Sequence, residues 1–283
     1  FSDSKKIIAL ITITDEIKLT SLSAIKQLQS SGIEVYMLTG DNYATAKEIA
    51  SKVGINHFHA EVLPQDKAEF VKQLQSEGKV VAMVGDGIND APALKQADIG
   101  IGMGSGTDVA KDAAAMILVD DNFTTIVNAV DEGRNIYEKI KKAILFILAT
   151  NLGEVSAILG TVLLGMKEPL AAMHVLWVNL MVESLIAIPF SMAKNDDSLM
   201  ENKPRAKNES IFNNMILRLL LSATYVGLTV FGVYLFITKT TGNHVLATTA
   251  AFIVMANSPA IYALSINSSK LFYEKDFFEN KRS

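Results

Sequence analysis

Gly85-Asp86-Gly87-Ile88-Asn89-Asp90-Ala91-Pro92-Ala93-Leu94 is the stretch from which the rest of the chain is read. It follows an apolar run of strand length, residues 80–84, and leads into a helical stretch at 91–96. Glycines let a backbone turn sharply and approach a ligand closely. Acidic side chains at a strand end supply the hard oxygens that Mg²⁺ takes. Packing alone gives no reason for all ten residues. Upstream, Thr39-Gly40-Asp41-Asn42 follows a second strand-like run at 34–38. Thr39 offers a hydroxyl and backbone donors to a phosphoryl oxygen, although Thr-Gly-Asp by itself also reads as a turn. Lys67, in Pro64-Gln65-Asp66-Lys67, is a cation of the kind that neutralises phosphoryl charge.

Working outward, strand-length runs alternate with amphipathic stretches. Strands are expected at 7–13, 34–38, 80–84, 99–102 and 115–119, with 58–61 short and ambiguous. Helices are expected at 21–31, 44–53, 65–76 and 91–96. That alternation predicts a doubly wound parallel α/β sheet, Rossmann-like, with ligands beyond the carboxyl ends of its strands.

The second half has a different character. Hydrophobic residues make up 49% of the 283 and charged residues 20%, and the apolar ones concentrate after residue 143. Four membrane spans are expected, at 144–166, 171–193, 215–237 and 245–267. Each is about 23 residues or ~34 Å as a helix, enough for a ~30 Å hydrocarbon core. The expected division is an α/β domain at 1–126, a stalk helix at 127–142, an all-α membrane domain of four transmembrane helices at 143–267 and a tail at 268–283. Lys139, Lys141 and Lys142, then Lys194, Lys203, Arg205 and Lys207, then Lys270, Lys275, Lys281 and Arg282 flank alternate span ends. By the positive-inside rule, the α/β domain, the middle loop and the C-terminus face the cytoplasm.

Composition excludes other classes. A net charge of −4 argues against nucleic acid as a partner. The absence of cysteine removes disulfides, thiolate metal sites and cysteine nucleophiles.

Acids inside spans are costly and functional by default. Glu154 falls near the middle of the first span and Glu183 near the middle of the second. Asn151 lies three residues before Glu154, and Asn179 four before Glu183, so each pair shares a helix face. Two amides and two carboxylates make an oxygen-rich set suited to a hard cation such as Ca²⁺ and unsuited to copper. The amides also fit interhelical hydrogen bonding, and the acids fit a protonated structural role. Pro189 would break the second span and free backbone carbonyls. Asn257, before Ser258-Pro259, is a further weak candidate ligand, and Arg218 reads as a snorkelling residue.

The ten-residue string resembles the hinge signature of P-type cation-transporting ATPases, within the haloacid-dehalogenase-like superfamily. Residues 97–114 (ADIGIGMGSGTDVAKDAA), 120–126 (DDNFTTI) and 132–142 (EGRNIYEKIKK) are similar to that family too. The resemblance implies ATP and Mg²⁺ as cofactors, with Asp86 as Mg²⁺ ligand and Asn89 and Asp90 completing the phosphate and metal site. It makes Thr39, Gly40 and Asp41 the phosphate-contacting loop and Lys67 the lysine of that site. The family's phosphorylated Asp lies in Asp-Lys-Thr-Gly-Thr, a segment missing from these residues. The resemblance therefore places the nucleophile, the nucleotide and actuator domains and four more spans upstream of Phe1, and the chain alone is expected to form no acyl-phosphate.

Residues 151–155 (NLGEV) and 176–180 (LWVNL) resemble the fifth and sixth spans of calcium pumps of the sarcoplasmic-reticulum and bacterial type. Carried over, that match makes Asn151, Glu154, Asn179 and Glu183 the Ca²⁺ ligands. Val182 and Ala256 stand where two-site pumps have further ligands, so one Ca²⁺ per cycle is expected, with a partner acid from another span. The implied protein exports Ca²⁺ from a prokaryotic cell. The rivals are a pump for Na⁺, K⁺, H⁺, Mn²⁺ or Mg²⁺, a membrane-anchored haloacid-dehalogenase-like phosphatase using Asp15, and an inactive pump fragment.

Overall fold

The structure is a computed structural model that describes residues 2–3, 6–7, 17–206, 208–213 and 215–267. These fall into two compact units, Phe1–Asp131 with Ser198–Lys207, and Glu132–Asp197 with Asn208–Ser283.

In the first unit, β1 (Ser2–Asp3) pairs antiparallel with β2 (Lys6–Ile7). Of the strand expected at 7–13, only Ile7 lies inside the described residues, and Asp15 lies outside them. Then come α1 (Leu19–Ser30), β3 (Tyr36–Leu38), α2 (Tyr43–Val53), β4 (His57–His59), α3 (Pro64–Ser76), β5 (Ala82–Gly85), α4 (Ala91–Gln96), β6 (Ile99–Met103), α5 (Asp108–Ala113) and β7 (Met116–Leu118). The expected strand–helix alternation is present, and every pairing from β3 onward is parallel. The described strands form separate ladders, β3–β4 and β5–β6–β7, where one continuous sheet was expected. The ambiguous run at 58–61 is β4, one residue earlier and paired in register from Tyr36 opposite His57.

Local chemistry sets the helix starts. The Asn42 side chain accepts from Thr45 N–H at 3.0 Å and starts α2. Pro64 occupies the first turn of α3, where its missing N–H costs nothing. Thr107 caps α5 by accepting from Ala110 N–H. Ile101, Leu118 and Ile126 form one buried cluster, and Ala24, Leu28 and Val127 another, onto which Met200 packs.

A single helix, α6 (Phe123–Leu163), covers the expected stalk and the first expected span. Its 41 residues correspond to about 62 Å. The second expected span, 171–193, is not one regular helix. It runs as α7 (Ala172–Trp177), a π-helical segment over Val178–Glu183, and α8 (Ser184–Ser191). The chain continues in α9 (Ile216–Thr241) and α10 (His244–Asn267), close to the bounds expected for the last two spans. Three helices among the described residues, α6, α9 and α10, are long and apolar enough to cross a membrane, and the apolar helix Ala172–Ile188 is shorter. Of the four expected spans, three are therefore present as long apolar helices, while wide π turns interrupt the regular ladder of the second. The expected tail at 268–283 lies outside the described residues.

Within this second unit Ala157, Val178, Val226, Val230, Tyr234, Ala247, Ala251 and Met255 make one core cluster. Small residues let α6 and α9 approach closely. A Cβ on Gly153 would fall 2.8 Å from Val226 Cγ1, and one on Gly227 would collide with Ser156 Oγ.

Candidate functional site

Among the described residues each unit holds a polar constellation that contains residues singled out in the sequence. In the first, β5 ends at Gly85, where a Cβ would lie 2.5 Å from Asp90 Cβ, so glycine is what lets the loop fold back on itself. Asp90 is buried. Its Oδ1 accepts from Lys67 Nζ at 2.7 Å, and its Oδ2 accepts from the backbone N–H of Gly87 at 3.0 Å and of Asp86 at 3.2 Å. Burial pushes the Asp90 carboxyl up, but the Lys67 ammonium and the two N–H donors outweigh it, so the group sits below the ordinary aspartate range. The Asp86 carbonyl accepts from Thr107 N–H at 2.8 Å and from Thr107 Oγ1 at 3.3 Å, which pins the loop from the start of α5.

Thr39, Gly40 and Asp41 form a second loop, after β3. Thr39 Oγ1 donates to Asp41 Oδ2 at 2.9 Å and accepts from Asp41 N–H at 3.1 Å. Val62 N–H donates to Thr39 O and Glu61 N–H to Asp41 O, at 3.0 and 2.8 Å. That stitches the loop to the segment leading into α3, whose first turns carry Lys67. Lys67, Gly87, Asp90 and the Asp86 backbone are therefore in direct contact, whereas Thr39 and Asp41 bond to each other. Asn89 is exposed on the turn between Gly87 and Asp90.

The donor chemistry fits Mg²⁺ at Asp86. Its carboxylate is exposed at a strand end and has no hydrogen-bond partner among the described residues. Both Asp90 oxygens, by contrast, are already committed. A hard cation that keeps several waters suits such an open carboxylate.

In the second unit, Glu154 and Glu183 are 3% and 4% exposed. Asn151 Nδ2 donates to Glu183 Oε2 at 3.1 Å and to Ile147 O at 2.8 Å. Asn179 lies beside Glu154, Thr150 beside Glu183, and the two carboxyls are within Coulombic reach of each other. Glu154 Oε1, Asn179 Oδ1 and Glu183 Oε1 are buried without a hydrogen-bond partner. Leaving a buried acceptor unpaired costs roughly 1–3 kcal/mol, so three such oxygens contributed by two chain segments call for an explanation beyond packing. Asn179 and Glu183 lie on the π segment, a distortion common at functional sites. Among the described residues no group of three or more His, Asp or Glu side chains converges.

Asn257 lies on α10. It is exposed and its Nδ2 donates to Ile253 O of its own helix at 2.7 Å. The Pro189 side chain lies outside the described residues. Sequence reasoning passed over Thr107 and Thr150. Thr107 stands before Asp-Val-Ala as a helix cap would, and Thr150 is four residues before Glu154, on the same face.

A haloacid dehalogenase-like hydrolase family matches residues 2–98, and the family "Cation transporting ATPase, C-terminus" matches residues 167–282. Similar curated proteins include Calcium-transporting ATPase 1 of Bacillus cereus, 36% identical over 97% of this chain and 36% of its own length. The calcium-transporting ATPase of Listeria monocytogenes is 40% identical over 76% of this chain and 28% of its own. An endoplasmic reticulum calcium ATPase of Aspergillus fumigatus is 40% identical over 80% and 27% respectively. A solved CPx-ATPase catalytic domain aligns at 33% identity over 38% of this chain and 44% of that one, with a TM-score of 0.37, too loose a superposition to carry an argument.

An α/β unit that matches the haloacid dehalogenase-like hydrolases is followed by apolar helices that match the C-terminus of cation-transporting ATPases and bury two glutamates. The chain belongs to the P-type cation-transporting ATPases. It spans about a third of the length of the curated relatives it matches.

Proposed function

We propose that this chain forms part of an ATP-driven pump that exports Ca²⁺ through an aspartyl-phosphate intermediate. The observation that carries the reading is the pair Glu154 and Glu183, buried together with three partnerless oxygens. These oxygens, with Asn151 and Asn179, take the transported ion, and hard oxygens suit Ca²⁺. The calcium-transporting relatives support Ca²⁺ over Na⁺, K⁺, H⁺, Mn²⁺ or Mg²⁺. The exposed Asn257 is the weakest of the proposed ligands.

In the α/β unit, Thr39, Gly40 and Asp41 contact the transferred phosphoryl group, and Lys67 neutralises its charge while Asp90 fixes the lysine in place. Asp86 and Asn89 line the Mg²⁺ position. When bound, Mg²⁺ supplies charge neutralisation at the phosphoryl oxygens. The phosphorylated Asp and the ATP pocket lie outside these 283 residues on this reading. The α/β domain ends near residue 126 and is cytoplasmic, consistent with the basic residues that flank alternate spans, and the membrane is that of a prokaryotic cell. The broken segment Ala172–Ser191 makes the fourth crossing of four, since its 20 residues in series extend about 30 Å. Helix α6 carries the chain from Ile126 to Glu154, and on this reading phosphorylation biases the cation site through that connection.

The test is Glu183→Gln in the full-length pump, measuring ATP hydrolysis against free Ca²⁺. Loss of Ca²⁺ stimulation is expected, while unchanged Ca²⁺ dependence removes Glu183 from the site. Replacing Ca²⁺ by each rival ion in the same assay decides the cargo.

A further inference from the structure

Strand β4 reads His57-Phe58-His59, which gives it half of the four histidines in a chain without cysteine. Alternate residues of a strand point to one face, and their Cα atoms are about 6.6–6.8 Å apart. Both histidines are exposed and Phe58 is turned inward. The flanking rings hold the two imidazoles. His57 stacks on Tyr36, its register partner on β3, with centroids 5.1 Å apart and planes at 28°. His59 lies 4.6 Å from Phe70 of α3, and Phe70 in turn meets Tyr36 at 5.7 Å. Four rings thus make one patch with both imidazoles on it. Neither imidazole has a hydrogen-bond partner among the described residues. The remaining two histidines are engaged. His244 Nδ1 is 3.1 Å from the Tyr234 hydroxyl, and His174 Nδ1 accepts from Ala171 N–H at 3.2 Å.

We propose that His57 and His59 chelate a borderline divalent transition ion, Zn²⁺ or a chemical neighbour, on the surface of the α/β unit. Zn²⁺ binds imidazole nitrogen at about 2.0–2.1 Å. Two such nitrogens must then come within about 3.4 Å of each other, within reach of rings that start from neighbouring same-face positions on a strand. Water completes the tetrahedron. Lys79 sits 5.4 Å from the Tyr36 ring centre and is held at 2.7 Å by Glu34, so its charge is compensated. Imidazole selects Zn²⁺, Cu²⁺ and Ni²⁺ where carboxylate and amide oxygens select Ca²⁺ and Mg²⁺. The chain therefore carries a soft-leaning site separate in chemistry from its hard-cation site.

The experiment is Zn²⁺ titration by calorimetry of the untagged full chain in detergent with excess Mg²⁺ and Ca²⁺ present. The comparison set is His57→Ala, His59→Ala, the ring-sized control His57→Phe, and His174→Ala, with circular dichroism on each to verify folding. One Zn²⁺ per chain is expected. Each of the first three variants should bind at least about tenfold more weakly, and His174→Ala should bind like the parent. Loss in only one of His57→Ala and His59→Ala would overturn the chelate, as would Zn²⁺ binding that survives both or that Ca²⁺ competes away. Failure of the parent chain to bind Zn²⁺ would overturn it as well.

Discussion

Among the described residues the chain buries acids in two places and treats them in opposite ways. Asp90 is saturated: a lysine on one oxygen and two backbone N–H groups on the other. Glu154 and Glu183 are as deeply buried, yet each keeps one oxygen without a donor. A saturated buried carboxylate holds architecture, because its charge is repaid by fixed protein groups. An unsaturated one stores a demand that only an incoming donor or cation can meet. By this contrast, Asp90 holds Lys67, and the glutamates keep the open oxygens that the proposed cation site requires.

The largest expected effect breaks function without breaking the fold. In the full-length pump, Glu154→Gln should lower apparent Ca²⁺ affinity by on the order of a hundredfold, measured as Ca²⁺-stimulated ATP hydrolysis. Stability of the membrane unit should change by less than about 1 kcal/mol, because the oxygen replaced satisfies no donor. A variant that instead unfolds would erase the contrast with Asp90. Asp90→Ala is the mirror case. It strands a mostly buried ammonium and two N–H groups, so denaturant unfolding of the chain should show the α/β unit destabilised by about 3 kcal/mol. A third prediction follows from the Asp90 carboxyl lying below the ordinary aspartate range. In the acid window between the unfolded and folded pKa, the unfolded chain binds more protons. The stabilisation is therefore complete above the ordinary range, near 3.9, and is lost as pH falls through the depressed value. Asp90→Asn should flatten that acid limb, read as denaturation midpoints across pH 2–6.

How much of this contrast was written in the sequence differs between the units. Asp86, Asn89, Asp90 and Lys67 stood out because few structural needs explain glycines and acids packed at a strand end. What stayed hidden was which acid would be spent on the lysine, since that depends on the turn at Gly85, a tertiary fact. In the membrane unit, hydropathy located the helices, and Glu154 and Glu183 announced themselves by being charged where charge is expensive. The π segment was illegible, because Val-Asn-Leu-Met-Val-Glu has the composition of an ordinary apolar helix and only packing selects the wider turn. Asn257 shows the converse. Its Nδ2 returns a hydrogen bond to Ile253 in the preceding turn, as the Asn151 Nδ2 does to Ile147, and residue type alone does not tell which amide also reaches across to a buried acid, as Asn151 does to Glu183. The split of the strands into two ladders likewise has no signature in alternation, which reports strand and helix but not which strands meet.

A fourth prediction sharpens the contrast at intermediate size. Gly227→Val puts a branched side chain where even a Cβ collides with Ser156, on the α6 face two residues from Glu154. Overpacking of this kind costs about 1–3 kcal/mol. Because the pressure falls on the helix carrying a ligand, Ca²⁺ dependence should shift along with thermal stability. Gly133→Ala, where a Cβ meets nothing, should leave both unchanged.

The smallest expected effect concerns the group that holds the Asp86 loop from behind. Thr107 has two jobs: its side chain caps α5 at Ala110, and its N–H and hydroxyl both reach the Asp86 carbonyl. Thr107→Ala removes the cap and the weaker of the two contacts to Asp86, but keeps the 2.8 Å backbone bond. The stability loss should be about 1 kcal/mol, the usual worth of a cap. Thr107→Ser restores the hydroxyl and should recover it. If the hydroxyl only caps, Mg²⁺ dependence of hydrolysis in the full-length pump stays put in Thr107→Ala. If it also sets where the Asp86 carboxylate stands, the Mg²⁺ requirement rises in Thr107→Ala and returns to normal in Thr107→Ser, because the saturated acid Asp90 and the open acid Asp86 share one loop and one of them must stay free.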